Sequence, residues 1–287
     1  MTMDLFSFLI VPFFAGLVLT GIHAYLGLHV VERGVIFVDL SLAQIAALGS
    51  TVAFLLGFTL HSQAAYLLSL AFTVLGAAIF AMSRIHEESR IPQEAIIGIV
   101  YAVSAAAAIL AMSKAPEGTE HIKDMLVGNI LTVSWAKVIK TAILYSIVGA
   151  FHWFFRKQFL RISISAREAR SAGLNVKFWD FLFYISFGLV VTSSVEIAGV
   201  LLVFSYLIVP SVAAMLFAET VGGRLAFGWI MGAIVSAVGI LLSFRLDLPT
   251  GATIVCTFGG ALLVLSLMRP FVRKPREIAM ADESGVS

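Results

Sequence analysis

The sequence predicts an all-α fold, a polytopic transmembrane helical bundle of eight or nine spans, and three features lead there. Of the 287 residues, 60% are hydrophobic and only 13% charged, with a mean hydropathy of +1.01; ordinary soluble domains hold about 45–50% apolar and about 25% charged residues. The apolar residues fall in runs such as Leu5–Leu28, Val35–Leu60, Ala64–Met82 and Leu225–Ser243. At about 1.5 Å of rise per residue, each run is long enough to cross a hydrocarbon core of about 30 Å. The third feature is that no segment alternates apolar and polar residues as barrel strands do. Open sheets would leave backbone groups unpaired in lipid, so only helices remain. The span count turns on Met125–Val133 and on Trp179–Ala218, where a break near Glu196 is either a loop or a kinked, partly re-entrant segment.

Charge orders the bundle. A net charge of +2 gives no case for binding nucleic acid. Basic residues gather in Arg84–Arg90, Arg156–Lys177 and Arg269–Arg276, and the positive-inside bias places all three in the cytoplasm. The acidic link Ala115–Asp124 suits the outer face. The chain is therefore expected to carry a membrane domain over residues 1–270, with a cytoplasmic loop at about 156–178, and a disordered cytoplasmic tail over 271–287. Leu5–Leu28 has no basic stretch before it and no small-residue cleavage site after it, so it is expected to be a retained first helix. Cys256 is the single cysteine, which rules out a disulfide or a cysteine-based metal site within one chain.

Polar residues inside the apolar runs are the candidate functional positions, because ionisable groups are costly in lipid. Gly16, Thr20, His23 and Gly27 share one face of the first helix. That face reads either as a close-packed seam with a satisfied histidine or as one wall of an ion path, with His23 as its ligand. His29, beside Glu32 and Arg33, reads as an interfacial residue. The second helix carries Asp39 and Gln44 more than a third of a turn apart. Asp39 is near enough to Arg33 to pair with it, while Gln44 lies deeper and could offer its carbonyl oxygen to a cation. Glu196 is a further carboxylate in the later apolar stretch. Pro210 removes a backbone hydrogen bond deep in a run and marks a hinge or a bend around a cavity.

The basic segment from Arg156 to Asp180 holds a short helix. Ser165-Ala-Arg-Glu168 fits a capping box, in which Ser165 accepts from a first-turn amide and Glu168 reaches back to the cap. The helix is expected over Ala166–Ala172 and to stop at Gly173 in a left-handed turn, before Asn175. Two turns are too few to be stable alone. Ala166, Ala169 and Ala172 form a smooth face without a lipid anchor, so docking into a protein cleft is expected.

Six stretches resemble, in order, the permeases of zinc, manganese and iron ATP-binding-cassette importers: Gly21–Arg33, Phe37–Gly49, Glu94–Gly98, Asp124–Leu131, Glu168–Gly173 and Gly199–Pro210. The resemblance implies a type II importer permease in the bacterial cytoplasmic membrane. It implies a dimer with a second permease copy or paralogue, metal delivered by an external binding protein, and two cytoplasmic ATPase subunits that carry the ATP. It also places Ser165, Glu168, Ala169 and Gly173 at the coupling to the ATPase. One departure concerns the metal path. Many manganese and zinc members have an aspartate and a histidine four residues apart in the second helix, where this chain has Leu40 and Gln44. An amide with a displaced carboxylate is a weaker ligand pair for either metal. No phosphate loop and no nucleophile–base constellation is present, so the chain is not expected to be an enzyme or to bind a cofactor of its own. An ion-coupled secondary transporter is the alternative, on the strength of Asp39, Glu196 and Pro210.

Overall fold

A computed structural model describes residues 2–59, 62–84, 91–113, 128 and 130–272. The acidic link 115–124, the basic residues 85–90 and the tail beyond 272 lie outside the described residues. Among the described residues there are ten α-helices and one 3-10 turn (Ile130–Thr132), with no strand: α1 (Thr2–Arg33), α2 (Val38–Leu55), α3 (Gln63–Ser83), α4 (Gln93–Met112), α5 (Trp135–Phe154), α6 (Arg156–Ile164), α7 (Ala166–Ser171), α8 (Val176–Phe217), α9 (Val221–Leu246) and α10 (Thr250–Val272). Seven of these are long and apolar enough to cross a membrane, and the bent pair α5–α6 makes an eighth when taken as one span.

Helix starts follow local chemistry. Ser62, Ser134 and Thr220 accept hydrogen bonds from first-turn amides of α3, α5 and α9. α2 has no cap of its own. Its N-cap residue Phe37 instead donates its N–H to Glu94 Oε1 at 2.9 Å, which fastens the starts of α2 and α4 together. Large apolar side chains such as Ile143, Ile147, Ile230, Ile234, Leu263 and Leu267 are exposed on the outer faces of their helices. Lipid is the solvent for these faces, so packing rather than expulsion of water holds the helices to one another.

α8 is the centre of the bundle and packs against α1, α2, α3, α9 and α10. At 42 residues a straight helix would be about 60 Å long, twice a hydrocarbon core. It is not straight. Gly199 adopts φ 74° and ψ 163°, a conformation essentially restricted to glycine, and the helix breaks there. Contacts with α1 show which way each limb runs. On the first limb Asp180 binds Arg33, and Ser194 lies against His23 further along. On the second limb the order reverses: Tyr206 reaches Gly16, Ser211 lies against Ala24 and Gly27, and Ala218 shares Arg224 with Glu32. α8 therefore folds back on itself, and its two ends meet the same, arginine-rich end of the bundle. The break expected near Glu196 is thus a turn between two limbs. Pro210 lies within the second limb, packed near Gly228, and the non-helical backbone is at Gly199 instead.

The small-residue face of α1 is a packing seam. A Cβ on Gly27 would stand 2.0 Å from the Leu207 carbonyl oxygen, and one on Gly16 would stand 2.8 Å from the Tyr206 hydroxyl. The second limb of α8 can come this close only because those side chains are missing.

Candidate functional site

Three groups of polar side chains lie along α1 and α8, from the end that carries Glu196 to the arginine-rich end. At the first end Glu196 forms an ion pair with Lys137 of α5 at 2.7 Å, with both side chains partly exposed. The carboxylate is already matched by a cation, so it can serve a passing metal only by releasing the lysine.

His23 is fully buried in the second group. Its Nδ1 lies 2.8 Å from the Leu19 carbonyl oxygen. A carbonyl can only accept, so Nδ1 carries the proton and Nε2 is left with a lone pair. That lone pair faces Ser194 Oγ at 3.2 Å, and Ser194 also bonds the Val190 carbonyl and the Tyr145 hydroxyl. Ser193 donates toward the same phenol. The result joins α1, α5 and α8 around a histidine whose Nε2 lone pair is engaged by Ser194, so it can serve as a ligand only by leaving that contact.

Asp39 and Gln44 stand apart from this network. Asp39 is buried, and neither carboxylate oxygen has a hydrogen-bond partner. The expected pair with Arg33 does not form; Arg33 Nη1 instead reaches Asp180 Oδ1 at 2.6 Å. Arg84, at the end of α3, donates to both oxygens of the same carboxylate at 2.9 and 2.7 Å. Asp39, past the turn that follows Gly34, is out of hydrogen-bond reach of the guanidinium. Gln44 is buried without a hydrogen bond among the described residues, whereas Ser41, one turn earlier on the same face, donates to the Ile97 carbonyl.

The third group corrects the interfacial placement of His29, which is buried. Its Nδ1 lies 2.8 Å from Ser163 Oγ, and its ring packs on Tyr25 at 4.7 Å between centroids and near His152 at 6.4 Å. His152 bonds Ser186 through Nε2 and stacks on Phe159 at 4.3 Å. No three His, Cys, Asp or Glu side chains are grouped to hold a metal among the described residues.

The short basic helix is present as α7. Ser165 Oγ accepts from Glu168 N at 3.2 Å, Gly173 ends the segment at φ +80°, and Asn175 caps α8. Two expectations fail. The Ser165 N–H is used by the Arg161 carbonyl at 3.0 Å, so Glu168 does not reach back and its side chain is exposed. Two of the three alanines also turn the other way: Ala166 and Ala169 are buried on their own chain, against Ile162, Leu174, Val176 and Trp179, while Ala172 is exposed. Small side chains let the helix lie flat on its neighbours, which leaves Arg167, Glu168, Arg170 and Ser171 facing outward.

Sequence reasoning missed Tyr145, His152, Asp180 and Arg84. A signal existed for two of them: His152 ends an apolar run and Asp180 opens one, and intramembrane ionisable residues are functional or structural by default. The pairing of Asp180 with both arginines spans three helices and has no local signature.

A polytopic helical bundle with a broken central helix and a capped helix at its arginine-rich end is the architecture of a multi-pass membrane protein. The chain belongs to the ABC 3 transport family, whose profile matches residues 5–269, and so to the permeases of metal ATP-binding-cassette transporters. It is 28% identical over 268 residues to the "Probable iron transport system membrane protein" of Haemophilus influenzae, covering 93% of this chain and 96% of that one. It is 26% identical over 252 residues to the manganese transport system membrane protein MntC of Listeria monocytogenes, covering 87% and 86%. The fold matches PsaBC from Streptococcus pneumoniae, solved in complex with Fab, with a TM-score of 0.78 at 24% identity over 95% of this chain and 96% of that one.

Proposed function

We propose that this chain is the membrane-spanning subunit of an ATP-driven importer that carries zinc, manganese or iron across the bacterial inner membrane. It works as a dimer with a second permease, receives the metal from an external binding protein, and is driven by two cytoplasmic ATPase subunits that hold the ATP. The observation that carries this reading is α7, a capped helix whose exposed side chains Arg167, Glu168, Arg170 and Ser171 lie at the arginine-rich end, immediately before the central helix. Ser165 and Gly173 hold its shape, Ala169 fixes it to the bundle from beneath, and Glu168 faces the ATPase. His23, Asp39, Gln44 and Glu196 line the metal path, and Pro210 bends with the second limb of α8. The test is metal-dependent ATP hydrolysis by the purified permease with its ATPase in lipid. An ion-coupled carrier, which the broken helix α8 would also suit, would instead take up metal from an ion gradient with the ATPase absent.

Ser165→Ala removes the cap of α7 and is expected to lower local helix stability by about 0.5–2 kcal/mol. Glu168→Ala keeps the cap. Both variants are expected to insert normally and to lose ATPase pull-down and uptake; normal pull-down in both would rule out α7 as the coupling element.

Gln44→Ala is expected to reduce or re-select metal uptake with the complex still assembled, while Ser50→Ala transports like the parent. Loss of a packing amide in a membrane bundle typically costs only about 0.6 kcal/mol, too little to prevent assembly. Gln44→His offers an imidazole and is expected to favour zinc over manganese, or to retain it. Equal uptake of zinc, manganese and iron by all three variants, at matched expression, would remove Gln44 from the path.

A further inference from the structure

Tyr25, His29 and His152 leave three buried polar atoms with no partner: the Tyr25 hydroxyl, His29 Nε2 and His152 Nδ1. A buried group without a hydrogen bond costs free energy, so one such atom needs an explanation and three on touching rings need a common one. The rings are close pairwise, with centroids 4.7 Å apart for Tyr25 and His29, 5.5 Å for Tyr25 and His152, and 6.4 Å for the two histidines. Tyr25 and His29 share one face of α1 at a spacing of one turn, and His152 comes from the end of α5.

The neighbouring hydroxyls determine what the free atoms offer. With the Ser186 hydroxyl donating to the Phe183 carbonyl at 2.9 Å, the His152 tautomer that completes the 2.8 Å contact to Ser186 Oγ donates from Nε2. His152 Nδ1 is then a bare lone pair. Ser163 Oγ accepts from Arg33 Nε at 2.8 Å and has a second lone pair for a His29 Nδ1–H, the tautomer that leaves His29 Nε2 bare as well. Second-shell bonds of this kind orient metal-ligating histidines.

We propose that Tyr25, His29 and His152 form a second site for a first-row transition-metal dication, distinct from the path residues His23, Asp39 and Gln44. The proposal rests on reading the chain as a metal permease. Two imidazoles and a phenol suit zinc, iron or cobalt better than calcium or magnesium, which take oxygen donors. The site holds no carboxylate, and Arg33 lies just beyond Ser163, with its charge shared with Asp180. Neutral ligands beside a guanidinium make a site that binds briefly. At the arginine-rich end, that is the behaviour expected of a last stop before release.

Cobalt(II) tests this, because its visible ligand-field bands report imidazole ligation. The full chain, purified in detergent, is titrated with cobalt(II) alongside His29→Gln, His152→Gln, Tyr25→Phe and the control Ser50→Ala, with thermal melting as the check on folding. The bands are expected in the parent and in Ser50→Ala, with binding weakened roughly tenfold or more in either histidine variant. Tyr25→Phe removes only an oxygen, is the variant least prone to misfold, and is expected to shift the bands. Absence of bands in the parent, as when a water alone joins the three groups, overturns the site. So does persistence of the bands in folded His29→Gln and His152→Gln, or an unshifted spectrum in Tyr25→Phe. Uptake distinguishes the two readings: normal ATP-driven uptake without these bands sinks the site alone, and bands without any ATP-dependent uptake sink the importer reading alone.

Discussion

Asp180→Ala is expected to be the most damaging single substitution in the chain. Asp180 is fully buried and is the shared partner of Arg33, itself almost fully buried, and of Arg84. Removing it leaves two guanidinium groups inside the bundle without an anion, and breaking a buried pair in this way costs about 3–5 kcal/mol. The loss should appear as a large fall in melting temperature and in the monodisperse yield from detergent. Arg84→Ala should be much milder, because Arg84 is partly exposed and Arg33 still neutralises the carboxylate. The combined Arg33→Met, Arg84→Ala, Asp180→Leu variant should recover most of the stability, since replacing a buried ion cluster by apolar groups is often neutral. A melt for Asp180→Ala indistinguishable from the parent would mean that the cluster does not hold α1, α3 and α8 together.

Gly199→Val is expected to have the second-largest effect. Its φ of 74° and ψ of 163° cost a residue with a side chain about 1–3 kcal/mol, more for a β-branched one. Relaxing to helical angles would straighten α8 and separate its second limb from Gly16 and Gly27, so the backbone cannot escape the strain locally. Gly128 offers no room either: a Cβ on it would stand 2.2 Å from the Ala198 carbonyl carbon, so the two segments already touch there. The expected outcome is a lower melting temperature and loss of uptake. Pro210→Ala, in the helical part of the same limb, serves as the comparison and should be far better tolerated. Equal melting of the two variants would mean that the break at Gly199 carries no structural weight.

The helical class, the arginine-rich ends and the capped helix were all legible from the sequence because each rests on local information: run length, charge position and the Ser165 to Gly173 spacing. The seam of α1 was legible for the same reason, as Gly16, Thr20 and Gly27 recur at helical spacing. What could not be read was pairing between distant segments. Asp39 looked like the partner of Arg33 because the two are six positions apart, yet Asp180 reaches that arginine through the folding of α8. His29 looked interfacial beside two charged neighbours, but α5 and α6 close over it with His152 and Phe159. The alanine face of α7 was read as a docking surface because small residues permit close approach. They do, but the surface approached is the chain itself.

The path from α7 to Gly199 has a mechanical meaning. Between the exposed side chains of α7 and the Asp180 cluster there are only a tight turn at Gly173 and the first residues of α8. From Val176 to the break the first limb is an uninterrupted rod of about 35 Å. Ion pairs fix that rod near both of its tips, through Asp180 to Arg33 and Arg84 at the arginine-rich end and through Glu196 to Lys137 at the other. The first limb is in effect a strut pinned at either end, with Gly199 as the first joint beyond it.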